Sequence, residues 1–168
     1  YFLRYDRLPK QVKKDIQGLS FEQLFTQLLQ KQGHQTLALL QQTAKGKTTQ
    51  KRLIQSLSEK ILKDLVRTIQ PNFEGFVTTY RLALQKLQQV KPQIFSRNQS
   101  LKILQWQGII AYLLSPSTNT SSSSFDTKTF TIEALQTITP KSKEKRTTFI
   151  AELQGIVQQE MEAKNHQF

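Results

Sequence analysis

The 168 residues carry 24 Lys or Arg against 12 Asp or Glu, a formal net charge of +12, with no cysteine and 37% hydrophobic residues. The length suits one domain that buries its own core, and the lack of cysteine excludes a disulfide framework, a thiolate zinc site and a cysteine nucleophile. No apolar run, Ile109 to Leu114 included, approaches the roughly 20 residues of a membrane span, and no signal peptide opens the chain, so a cytoplasmic protein is expected.

In chain order, Pro9 suits the first turn of a helix through Ile16, because a first-turn proline has no hydrogen bond to lose. Ser20 with Gln23 has capping-box spacing and predicts a helix carrying Phe21, Leu24, Phe25, Leu28 and Leu29, with Gly33 as its stop. Leu37 to Ala44 predicts a further short helix ended by Gly46. From Thr49 to Gln70 the apolar residues Leu53, Ile54, Leu57, Ile61, Leu62, Leu65, Val66 and Ile69 keep three-and-four spacing, the pattern of one helix with one buried face. Pro71 stops it, and Asn72 caps the next, which carries Phe73, Phe76, Val77, Tyr80, Leu84 and Leu87 and ends near Val90 before Pro92.

Asn98 opens a strongly apolar helix through Leu101, Leu104, Ile109, Ile110, Leu113 and Leu114, suited to the centre of a bundle. Ser115 to Ser124 is a run of Ser, Thr, Asn and Pro that cannot offset its ordering entropy and reads as a loop or linker. Beyond it Phe125 to Ile138 fits a helix better than a strand. A last helix from Pro140 carries Phe149, Ile150, Leu153, Ile156, Val157 and Met161, with bases early and acids late, against its own dipole. The expected fold is an all-α bundle of about five to seven helices. Residues 1–114 form the basic bundle, 115–127 a Ser/Thr-rich linker, and 128–168 the C-terminal helices, packed on the bundle or on a neighbouring subunit.

The charge is unevenly placed: residues 1–114 hold 18 Lys or Arg against 6 Asp or Glu, while residues 115–168 hold 6 of each. Arg52, Ser56, Lys60, Lys63 and Arg67 fall at helical intervals opposite the apolar face, and Lys45, Lys47 and Lys51 lead into them. Arg7, Lys10 and Lys14 repeat the pattern, with Arg81 and Lys86 beyond. A surplus confined to one region reads as a polyanion-binding face, so the twelve Lys and Arg among these are the expected phosphate contacts. Gln85, Gln88, Gln89, Gln105 and Gln107 are expected on the same partner-facing surface.

Catalytic signals are weak. Gly46-Lys47-Thr48-Thr49 imitates the end of a phosphate-binding loop, but Gln41 stands where that loop has its first glycine and the preceding segment is helical rather than a strand. His34 and His166 lie far apart, and the acids are scattered. No enzyme activity, metal, cofactor or small-molecule substrate is expected.

A small, cysteine-free, basic helical bundle with a polar loop resembles the small helical subunit of CRISPR Cascade-type effector complexes, especially the type I-D form made from the C-terminal part of the large subunit. The resemblance implies sequence-independent binding of guide RNA and of the target or displaced strand, alongside other effector subunits and further copies of the chain. A helical DNA-binding module of a recombinase or replication protein, or a structural adaptor meeting an acidic protein, are the alternatives.

Overall fold

The computed structural model describes Leu3, residues 18–95, residues 100–115, Phe130, Ala134 and residues 143–165. Among these the chain is all-helical, with six bounded α-helices and no strand. They are α1 (Phe21–Thr43), α2 (Lys47–Ser56), α3 (Glu59–Ile69), α4 (Glu74–Val90), α5 (Leu101–Leu113) and α6 (Lys143–Asn165), with single 3-10 turns at Pro71–Phe73 and Pro92–Ile94. The helix expected through Ile16, the Ser-rich stretch beyond Ser115 and most of Phe125 to Ile138 lie outside the described residues, although Phe130 and Ala134 are helical and buried.

The chain divides into two compact units. The first comprises residues 1–72 and 113–124 and the second residues 73–112 and 125–168. In the first unit α1 packs on α2 and α3. Its N-terminus is the capping box expected: the Ser20 hydroxyl accepts from the Gln23 N–H at 3.2 Å, and the Gln23 side chain accepts from the Ser20 N–H at 2.7 Å. Gly33 does not stop it. α1 continues to Thr43 across a kink at Gln32 (φ −145°, ψ 50°), since Gly33 lets the helix lie against Thr68 of α3.

The helix expected from Thr49 to Gln70 is two helices. Leu57 turns extended (φ −114°, ψ 143°), Ser58 becomes the N-cap residue of α3, and the Ser58 N–H donates to Glu22 Oε1 at 2.9 Å. A carboxylate from α1 thus satisfies a helix-start amide that no local side chain caps. Apolar spacing is kept across the break, so Leu53, Ile54, Leu57, Leu62, Leu65 and Val66 are all buried.

In the second unit α4 packs on α6, and Phe149 of α6 meets Phe95 edge to face at 5.5 Å between centroids. Pro71 and Asn72 form the 3-10 turn rather than a cap, and α4 starts at Glu74. Phe130 presents itself to four rings, Phe73, Phe76, Tyr80 and Tyr112, at centroid distances from 4.9 to 5.4 Å with steep interplanar angles, the arrangement that sets ring edges against ring faces. From Leu104 to Leu114 every residue of α5 and its end except Ala111 is buried, in keeping with the central position its apolarity predicts.

Candidate functional site

The cationic residues start where α2 begins. Gly46 is its N-cap residue in extended conformation, Thr49 Oγ1 donates to the Gly46 carbonyl at 2.7 Å, and Lys45, Lys47 and Lys51 are exposed around this end. With no acid in its first turn, α2 has its lysines where the helix dipole is already positive. Gly46-Lys47-Thr48-Thr49 thus joins two helices, where a phosphate-binding loop would join a strand to a helix. On α3, Lys60 and Lys63 are exposed, and Arg67 forms an exposed ion pair with Asp64 at 3.4 Å.

The single stripe expected from Arg52 to Arg67 is interrupted, because the break at Leu57 puts Arg52 and Ser56 on one helix and Lys60, Lys63 and Arg67 on another. Arg52 is half-buried, and its Nη1 donates to the Leu3 carbonyl at 3.2 Å, tying an N-terminal residue to α2. Arg7, Lys10 and Lys14 lie outside the described residues.

Arg81 and Lys86 belong to α4 in the second unit. Lys86 is exposed, but the Arg81 guanidinium lies 4.8 Å over the ring of Trp106, and its Nη2 donates to Gln105 Oε1 at 3.3 Å. The Gln105 amide answers by donating to the Arg81 carbonyl at 3.0 Å. A cation over a desolvated indole, closed by reciprocal bonds, clamps α4 to α5. Gln105 and Gln107 are buried, so of the glutamines expected to face a partner only Gln85, Gln88 and Gln89 reach the surface. The apolar pattern of α5 hid this, because a lone amide inside a buried helix needs a partner from elsewhere in the chain.

Among the described residues no three His, Cys, Asp or Glu gather as metal ligands, and no helix is long and apolar enough to cross a membrane. An open groove of about 660 Å³ beside the start of α1 is lined by Ser20, Glu22, Gln23, Ser58 and Lys60 among others, yet Ser20, Gln23 and Glu22 spend their polar atoms on backbone amides. Tyr80 is fully buried, and desolvation pushes its phenol far above the usual range.

All 168 residues match the model of the contractile injection system tape measure protein family. The chain belongs to that family. No curated protein and no solved structure gives a significant match. Membership overturns the resemblance to a CRISPR effector subunit, and with it the role in antiviral defence and the expected partners: guide RNA, target or displaced strand, and effector subunits. The twelve candidate cations come from the charge pattern and not from that resemblance, and the family match assigns them no partner. The resemblance rested on a basic, motif-free helical bundle, which is an architecture shared by unrelated functions, whereas the tape measure match runs over the whole length of the chain.

Proposed function

We propose that this chain is a structural, non-catalytic part of a tape measure protein, contributing helical length during assembly of a contractile injection system tail. The observation that carries the reading is the family match over residues 1–168, and the helical build of the described residues supports it. An α-helix is a sound material for a ruler. It advances by a fixed 1.5 Å per residue and satisfies its backbone hydrogen bonds internally, so its length follows residue number without needing a neighbour.

The experiment is to delete or duplicate, in frame, the 23-residue segment Lys143–Asn165 in the full-length protein and measure assembled particles by electron microscopy. If this helix is laid lengthwise, particles shorten or lengthen by about 34 Å, the rise of 23 helical residues. Particles of wild-type length from both variants would overturn the reading.

A further inference from the structure

The kink in α1 has an unusual chemistry. Of its 23 residues only Gln32 leaves helical dihedrals. Four residues later the buried Thr36 hydroxyl donates toward two carbonyls, Gln32 O at 2.9 Å and Leu28 O at 3.1 Å. The bond to Gln32 O is the ordinary back-bond of a helical threonine, available whether or not the helix is bent. The bond to Leu28 O is not. In a straight helix two carbonyls four residues apart are separated by about 6 Å along the axis, beyond the span of one hydroxyl. Thr36 can therefore reach Leu28 O only while the helix is bent, and that bond belongs to the kinked form alone.

A second contact acts at the same place. A Cβ on Gly33 would lie 2.8 Å from Thr68 Cγ2 of α3, so the absence of a side chain permits this approach of the two helices. Thr68 is itself held by a bond from its hydroxyl to the Asp64 carbonyl at 2.8 Å.

The sequence nevertheless runs in step with an unbroken helix. Leu28-Leu29-Gln30 recurs eleven residues later as Leu39-Leu40-Gln41. The buried residues obey the same interval, Phe25 with Thr36 and Leu29 with Leu40, as do the exposed Leu28 and Leu39, 45% and 53% accessible. Eleven residues make close to three full helical turns, so all three pairs fall into line in a straight α1.

We propose that the Gln32–Gly33 kink, latched by Thr36 and seated on Thr68, is a conformational switch through which α1 passes to one straight helix of about 34 Å. Changing a single residue from φ −145°, ψ 50° to helical values completes the transition; the repeat is already phased for it. Its purpose rests on the tape measure reading, in which a packed chain must be laid out lengthwise. Its existence rests only on the geometry.

The chain has no cysteine, so Gln27→Cys and Gln42→Cys, both at exposed positions, accept nitroxide labels without competition. Pulsed electron resonance on the full chain reads their separation, and the straight form lies near about 22 Å between Cα atoms. Thr36→Val keeps the shape and removes the latch, and shifts the straight-to-kinked ratio about fivefold toward straight, the worth of one net hydrogen bond. Thr36→Ser keeps the hydroxyl and the wild-type ratio. Gly33→Ala crowds Thr68 and favours helix, moving the ratio the same way as Thr36→Val, whereas Gln32→Gly moves it toward the kink. Distance distributions unchanged in both Thr36→Val and Gly33→Ala, or a shift in Thr36→Ser as large as in Thr36→Val, overturn the switch. Distances that respond as expected, in a protein whose particles ignore changes of segment length, would keep the switch and remove the tape measure reading. The opposite pair of results would do the reverse.

Discussion

A close approach between helices in the second unit gives a signed test of how its core is built. Gly108 sits in α5 where an added Cβ would lie 2.9 Å from both the Ala134 Cβ and the Tyr80 hydroxyl, and 3.3 Å from the Ala134 Cα. The last of these is backbone, so a bend of one side chain cannot make room. Overpacking of this kind costs about 1 to 3 kcal/mol, against which Ala in place of Gly in a helix gains about 1 kcal/mol. Gly108→Ala should therefore destabilise by about 1 to 2 kcal/mol, the backbone contact placing it in the upper part of the range. Gly155, inside α6, has nothing within 4 Å of the added carbon. There the helix term acts alone, and Gly155→Ala should stabilise by about 0.5 to 1 kcal/mol. Urea unfolding followed by the fluorescence of Trp106, the only tryptophan and fully buried in the same unit, reads both changes. Tyr80→Phe adds a cycle. Among the described residues the buried Tyr80 hydroxyl has no hydrogen-bond partner, so its removal alone should be neutral or stabilise by about 1 kcal/mol, and in the Gly108→Ala background it should return more, because it deletes one of the two nearest atoms. Equal stabilisation by Gly108→Ala and Gly155→Ala would refute the close approach and the reasoning with it.

Leu65→Ala, at a fully buried position of α3, should lower stability by about 2 to 5 kcal/mol, measured by the loss of helical circular dichroism in urea. Glu22→Ala removes the carboxylate that accepts from the Ser58 N–H and an acid from the first turn of α1; a cost of about 1 to 2 kcal/mol is expected, with Glu22→Gln recovering part of it. Stability should also fall in alkali. Burial raises the Tyr80 phenol above its unfolded value of about 10, so the contribution is intact below pH 10 and is lost as pH climbs toward the folded value. The decline between about pH 10 and 11.5 should be shallower in Tyr80→Phe, and identical slopes in the two proteins would show that Tyr80 ionises as readily folded as unfolded.

Features encoded by neighbouring residues were legible in the sequence. The Ser20–Gln23 capping box, the stop before Pro71, the end of α4 at Val90 and the buried run of α5 each depend on residues a few positions apart. What escaped depends on distant partners. The break at Leu57–Ser58 leaves the apolar spacing intact, and the group that meets its free amide is a carboxylate 36 residues away. Gly33 reads as a stop by local rules, yet the neighbour that gives it another use is Thr68 on a different helix. Arg52 and Arg81 look like surface charges by spacing, and only the fold supplies the Leu3 carbonyl and the Trp106 ring. The family was legible from no short motif; it emerges from the pattern of the whole chain.

The charge itself reads differently once the arginines are placed. Arg52, Arg67 and Arg81, the described arginines among the candidate residues, are engaged respectively with the Leu3 carbonyl, with Asp64, and with Trp106 and Gln105. Of the candidate residues, Lys45, Lys47, Lys51, Lys60, Lys63 and Lys86 are exposed, as is Arg67 within its ion pair. The planar guanidinium suits fixed, stacked or forked contacts, whereas the ammonium is a strongly hydrated point charge on a flexible stem. A face built to grip phosphates in register would be expected to spend arginine there. At a net +12 the chain as a whole repels further copies of itself, which opposes indiscriminate association. The same self-repulsion disfavours the compact state.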